Sequence, residues 1–268
     1  MDTSHLLDLF LLFGCAGLAG FMDAVVGGGG MVQLPAVIAF LPGILGLPAA
    51  SVPLSLCIGT NKMSSVVGTG LACWRYSRHI KIPYQDLFPM VVSAGCVSAV
   101  GAHFVGLIPR NIIEVIVFIL MIAVIIMMLM DPLKSTKNQT LNESQFPIPS
   151  LKSRILWGSL VGFYDGFFGP GTGIILVLVL SKLFLWPFLN STAAAKLVNL
   201  STNIGALLYF SWHKQVSFEI GLAMALFNLL GAWMGAGFAI RSGSSKLRWF
   251  SLFVVGLLLA KIIWNWYF

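Results

Sequence analysis

Charge is what this sequence has least of. Of its 268 residues only 9% are Asp, Glu, Lys or Arg, against about 25% in an ordinary soluble domain. With 58% hydrophobic residues and a mean hydropathy of +0.92, an aqueous globular fold is excluded. Cysteine is scarce as well: Cys15, Cys57, Cys73 and Cys96 all fall in apolar segments of the first half, with no CxxC pair and none in a loop. That pattern argues against a disulfide scaffold and against a zinc site. A phosphate-cradling P-loop, HExxH, GxSxG and a cysteine beside a histidine are all missing, which leaves no ATP-driven step and no hydrolytic constellation. The sequence therefore predicts no enzyme, no cofactor and no bound metal. The 16 Lys and Arg outnumber the 9 Asp and Glu, but they sit in loops between apolar spans, where membrane orientation explains them and no nucleic acid is needed.

What is abundant is apolar length. A spanning helix needs about 20 mostly apolar residues, and apolar runs occur at 6–26, 31–42, 47–73, 84–108, 111–130, 155–168, 173–188, 192–212, 217–240 and 247–267. This predicts an all-α polytopic membrane protein whose immediate partner is the bilayer. The first run has Asp2, His5 and Asp8 near its start and no basic leader, so it is read as retained membrane structure rather than a signal peptide. The one long polar stretch, 131–154, is rich in Pro, Ser, Asn and Lys and reads as a linker. It divides the chain into a first transmembrane repeat, 1–130, and a second, 155–268.

The two halves repeat each other. Gly20-Phe21-Met22-Asp23 aligns with Gly162-Phe163-Tyr164-Asp165, and Gly27 to Gly30 with Gly169-Pro170-Gly171-Thr172, at an offset of 142. After an eight-residue excess in the first half the offset becomes 134, placing Lys62 on Lys196, His79 on His213 and Gly101-Ala102 on Gly235-Ala236. Duplication of this kind is the signature of a transporter-like architecture.

Loop charges bear on the orientation of the repeats. If each glycine-interrupted pair, 6–42 and 155–188, crosses the membrane once, the two sides carry 8 (Arg75, Arg78, Lys81, Lys134, Lys137, Lys152, Arg154, Lys214) and 5 (Arg110, Lys182, Arg241, Lys246, Arg248) basic residues. If each pair turns back at its glycines, the count becomes 11 against 2, which the positive-inside rule prefers. Residues 155–188 as one straight helix would also extend about 50 Å, against a hydrocarbon core about 30 Å thick. Three full crossings per half then make the repeats inverted, giving about eight membrane segments, with both termini periplasmic and the linker cytoplasmic.

Ionisable groups within the spans are costly and mark pathways or partners. They are Asp23, Lys62, Asp165, Lys196 and Lys261, of which the first four form repeat-related pairs and the last is placed to snorkel to the interface. Unwound glycine segments are tolerated at membrane depth only where they line a cavity or are covered by protein. Gly28, Gly29 and Gly30 in the first break and Gly169, Gly171 and Thr172 in the second therefore become candidate ligand contacts, because the N–H groups of half-helix ends suit an anion. Asn61 and Lys62, and Lys196, Asn199 and Asn203 on one helix face, add amide and ammonium donors. Asp23 and Asp165 are the candidates for coupling to a proton. A purely structural role for the Asp–Lys pairs, with glycines only for close packing, is the alternative. His79 and His213 read as interfacial groups, Trp74, Trp157, Trp264, Trp266 and Tyr267 as interfacial anchors, and Met121, Met127, Met128 and Met130 as packing residues. The small-residue face Gly231-Ala232…Gly235-Ala236-Gly237 fits packing within a monomer or between copies, so a homo-oligomer stays open.

GFMDAVVGGGG, GTNK…SS…G, GFYDGFFGPGTG and AAAKLVNLSTNIGALLYF together resemble the sulfite-exporter family of transporters often called TauE/SafE, over nearly the whole chain. The resemblance implies a bacterial inner-membrane transporter of sulfite, thiosulfate, sulfoacetate or a related sulfonate, commonly working in export. The family's glycine motifs fall on Gly27 to Gly30 and Gly169 to Gly173, and its Asn-Lys segments on Asn61, Lys62, Lys196, Asn199 and Asn203. The first half lacks the GPGTG of the second and an Asn three residues after Lys62, which gives the second half the stronger claim to the ligand. The expected function is secondary transport of a small anion driven by an ion or proton gradient. A passive anion channel, or an uptake carrier for a carboxylate, is the alternative.

Overall fold

A computed structural model describes residues 3–107, 119, 122 and 147–242. Most of the apolar run 111–130, the run 247–267, most of the 131–154 linker, and Arg110, Met121, Met127, Met128, Met130, Lys134, Lys137, Lys246, Arg248, Lys261, Trp264, Trp266 and Tyr267 lie outside the described residues. Every regular element among the described residues is helical, as a multi-pass membrane protein requires, because a helix satisfies its own backbone in lipid.

The first half holds α1 (Thr3–Val26), α2 (Gly30–Ile44), a 3₁₀ turn (Ala49–Ser51), α3 (Leu54–Ser77) and α4 (Tyr84–Val105). The second holds α5 (Leu151–Phe167), α6 (Thr172–Leu178) running into one π-helical turn (Val179–Leu183), α7 (Phe188–Trp212) and α8 (Phe218–Ser242). Prolines 53, 83 and 187 immediately precede α3, α4 and α7, where a missing N–H costs nothing. Ser150 caps α5, its side chain accepting from Ser153 N at 3.2 Å, so this helix begins inside the stretch read as linker. α1, α4 and α8 contain segments long and apolar enough to cross a bilayer, namely His5–Val26, Tyr84–Val105 and Phe218–Arg241. α3 and α7 are equally long but carry the polar and charged residues of the interior.

Both glycine breaks are sharp reversals. A Cβ on Gly29 would lie 2.6 Å from Asp23 Cβ, near the end of α1, while one on Gly43 would lie 2.5 Å from Asp8 Oδ2, near its start. α2 therefore returns alongside α1 for most of its length. In the second half the Trp186 indole, just past the π turn, donates to Pro147 O at 3.0 Å, just before α5. That segment too comes back to the level at which its hairpin began. The positive φ of Gly27 (86°), Gly169 (93°) and Gly171 (80°) makes the turns, a region that side-chain-bearing residues avoid.

Helix packing is reciprocal between the halves. α1 packs on α8 and α5 on α4; α3 packs on α8 and α7 on α4; α3 and α7 meet each other. The same offsets relate the contacts: Gly20 abuts the Asn228 carbonyl as Gly162 abuts that of Ala94, and Gly235 abuts Phe21 as Gly101 abuts Phe163. Running order fixes direction. Contacts of Gly17 with Phe227 and of Gly235 with Phe21 make α1 and α8 parallel, those of Gly158 with Met90 and Gly166 with Ser98 make α5 and α4 parallel, and those of Gly59 with Phe210 and Gly70 with Leu200 make α3 and α7 antiparallel. Without a hydrophobic drive between helices in lipid, such backbone-to-backbone seams of small residues supply the packing.

Overpacking at one of these seams is therefore costly: Gly162→Leu, whose side chain would be driven into the Ala94 backbone, is expected to destabilise the protein by about 1–3 kcal/mol or more. A thermal unfolding midpoint in detergent well below that of the parent measures this; an unchanged midpoint contradicts the close approach.

Candidate functional site

The two hairpin tips meet at the centre. Gly27 and Gly173 are in backbone contact, and a Cβ on Gly30 would lie 3.3 Å from Pro170 Cα. Around this junction a cavity of about 20 Å³ is lined by Asp23, Gly27, Gly29, Gly30, Gln33, Asn61, Lys62, Ser65, Thr69, Asp165, Gly169, Gly173, Asn199, Asn203 and Asn228. A space of that size holds about one water molecule. Every side chain on its wall is polar or charged, the remaining lining being glycine.

Each half completes the ion pair of the other. Lys62 Nζ on α3 lies 2.7 Å from Asp165 Oδ2 on α5, with side-chain exposures of 2% for both, and also donates to Asn203 Oδ1 on α7 at 3.0 Å. Lys196 Nζ on α7 lies 3.2 Å from Asp23 Oδ2 on α1 and also donates to the Asp23 carbonyl. Further hydroxyls fix the carboxylates: Thr69 Oγ1 donates to Asp23 Oδ2 at 3.1 Å, and Thr172 Oγ1 lies 2.7 Å from both Asp165 Oδ1 and Gly169 O. An ammonium carries three N–H groups, so Lys62 keeps one beyond Asp165 and Asn203. Gly169 permits this approach, since a Cβ there would lie 3.2 Å from Lys62 Nζ.

Among the residues singled out by sequence, Asp23, Gly29, Gly30, Asn61, Lys62, Asp165, Gly169, Asn199 and Asn203 line the cavity. Gly28 instead faces Met31 and Ile174. Gly171 makes the left-handed N-cap of α6; Thr172 bonds Asp165 and Lys196 bonds Asp23, neither being among the lining residues. The lysine on the cavity wall is thus the one from the first half. His79 and His213 each bond the carbonyl four residues earlier, those of Arg75 and Tyr209, in the last turn of their helices. Sequence reasoning passed over Gln33, Ser65, Thr69 and Asn228. Gln33 is the sole polar side chain of α2 and Asn228 the sole amide of α8, an isolation that is itself a signal for an interior-facing group.

Broken helices that bury paired charges around a central polar space, inside an otherwise apolar helical bundle, define a membrane transporter. The chain belongs to the family described as "Sulfite exporter TauE/SafE", whose model matches residues 12–262. A "Probable membrane transporter protein ORF9" of Sinorhizobium is 32% identical over 91% of this chain and 87% of its own length. The "Probable membrane transporter protein YfcA" of Escherichia coli K12 is 30% identical over 97% of this chain and 91% of its own, and a similarly named Haemophilus influenzae protein 27% identical over 97% and 96%. No solved structure matches the chain significantly. The family and these relatives are membrane transporters, not enzymes.

Removing one member of a buried ion pair strands the other charge, at a cost of about 3–5 kcal/mol, whereas replacing both can be neutral or better. Lys62→Met is therefore expected to lower the unfolding midpoint sharply, and Lys62→Met with Asp165→Leu to restore most of it. Two additive losses in a thermal melt would contradict a direct pair.

Proposed function

We propose that this protein is a secondary transporter of a small sulfur-containing oxyanion such as sulfite or a sulfonate, working by alternating access at the junction of its two hairpin tips. The observation that carries this reading is the pair of crossed ion pairs closing over a cavity too small for such an anion. A transporter must occlude its site between openings, and a centre held by contacts between the halves opens when the halves separate. The reciprocal packing, the sequence offsets that relate its contacts and the antiparallel α3 and α7 support an inverted repeat, 1–130 and 155–268 joined by the 131–154 linker. In that arrangement the hairpins enter from opposite faces and the same contacts can be broken from either side.

Charge balance supports proton coupling. Lys62, Lys196, Asp23 and Asp165 sum to zero, so an entering monoanion would leave an uncompensated charge in a medium where charge is costly. Protonation of one carboxylate removes that charge and releases a lysine for the anion. Asp165 is suited to this, since it is bonded to Lys62, and both residues line the cavity. Gly29, Gly30 and Gly169, with Asn61, Asn199 and Asn203, supply further contacts, and Lys196 holds the first hairpin through Asp23. The family's description favours sulfite and export, though gradients set the direction. The family resemblance favours a bacterial inner membrane, and the distribution of Lys and Arg favours periplasmic termini and a cytoplasmic linker. The closed tips and small cavity favour a carrier over a passive anion channel.

Proteoliposome flux of labelled sulfite tests this. The parent protein is expected to give saturable uptake with counterflow, rising as pH falls because protonation frees Lys62. Lys62→Ala and Lys196→Ala are each expected to lose at least about tenfold of that flux, a loss equivalent to about one charged hydrogen bond, and Asp165→Asn to transport without pH dependence. Non-saturating flux without counterflow would indicate a channel, and a normal pH profile in Asp165→Asn would remove Asp165 from proton transfer.

A further inference from the structure

The halves match in their ion pairs but not in their amides. Gln33, on the first turn of α2, and Asn228, in the middle of α8, are 1% and 3% exposed. Both line the central cavity. Asn228 Nδ2 donates to Gln33 Oε1 at 2.7 Å, which leaves the Gln33 Nε2 amino group buried with no partner among the described residues. The positions related to them by the repeat offsets are Ile175 and Ala94, neither of which can donate or accept through its side chain. The polar wall on this side therefore has no counterpart in the other half.

Two glycines are given over to seating this pair. A side chain at Gly20 would strike the Asn228 carbonyl and one at Gly68 the Asn228 Oδ1, so the amide is held between α1 and α3 and its orientation is fixed. With Oε1 of Gln33 committed to Asn228, its Nε2 is left without an acceptor among the described residues, on a residue that shares the cavity wall with Lys62, Gly29 and Gly30. A buried donor without an acceptor is destabilising unless something it binds supplies one. An isolated amide in an otherwise apolar membrane helix is retained against that cost.

The geometry points to Gln33 as a substrate-binding, specificity-determining residue that donates through Nε2 to an oxygen of the transported anion, with Asn228 as its positioning residue. This rests on the carrier reading above and refines it. The anion sits off the axis relating the halves, held by Lys62 on one flank and Gln33 on the other, and the site selects for anions that present a second acceptor oxygen. A spherical halide presents a single centre to both donors, whereas sulfite offers a separate oxygen to each.

Gln33→Ile and Asn228→Ala test this, because each copies the residue at the matching position of the other half. The probe is sulfite, with chloride as competitor, measured by counterflow in proteoliposomes of the full chain and by sulfite-induced thermal stabilisation in detergent. Gln33→Ile is expected to raise the KM for sulfite by about tenfold or more, the equivalent of one charged hydrogen bond. Its maximal rate should change little and chloride should become a better competitor. Asn228→Ala should raise KM less, and should add nothing to Gln33→Ile in the double variant, since it acts through that residue. Gln33→Met, of similar length and without a donor, should bind sulfite no better than Gln33→Ile. An unchanged KM in Gln33→Ile, or retained affinity in Gln33→Met, would overturn the inference while leaving the carrier reading intact. If the parent protein neither moves sulfite nor is stabilised by it, the carrier reading for sulfur oxyanions falls and the inference with it. A Gln33→Ile protein that fails to fold even when solubilised from the membrane would also overturn it, because the amide would then be structural.

Discussion

Everything at the centre of this protein depends on each lysine finding its carboxylate in the other half of the chain. Lys62 reaches Asp165 and Lys196 reaches Asp23. Neither half can bury its own charges alone, so the crossed pairs tie the halves together and locate the junction of the two broken helices. An ion pair buried this deeply contributes little net stability against a well-packed apolar alternative. In the proposed transport cycle its value lies in being breakable: an anion takes over a lysine, or a proton a carboxylate, and either event weakens the clasp between the halves.

The glycine seams serve the same end. Helices α1 with α8, and α4 with α5, are packed through small residues so closely that their backbones touch, which makes stiff pairs. The crossing of α3 and α7 and the contact of the hairpin tips, by contrast, concentrate polar groups. Stiff pairs meeting at a polar junction suit the proposed movement of one half against the other, since packed cores switch between arrangements rather than deform continuously.

Much of this was legible in the sequence. Composition fixes the class, and the offsets of 142 and 134 mark Asp23 with Asp165 and Lys62 with Lys196 as equivalent. The crossed pairing was not legible, because equivalence says nothing of distance. The eight-residue excess is now located, three residues in α2 relative to α6 with its π turn and five in the loop that follows. Sequence pattern gave the second half the stronger claim to the ligand, whereas Lys62 is the lysine on the cavity wall and Lys196 bonds Asp23 without lining the cavity. Gln33 and Asn228 escaped notice because motif and repeat reasoning reward matches, and these two residues are informative for lacking one.

In the proposed transport cycle the hairpin tips must part for substrate to pass. Gly30 and Pro170 face each other there. Gly30→Cys with Pro170→Cys, in a chain whose Cys15, Cys57, Cys73 and Cys96 are replaced by serine or alanine, would allow the tips to be locked by oxidation and released by reduction during a sulfite counterflow assay. Flux that stops on oxidation and returns on reduction is the predicted result. Undiminished flux through a fully cross-linked protein would contradict the account and place the moving element elsewhere.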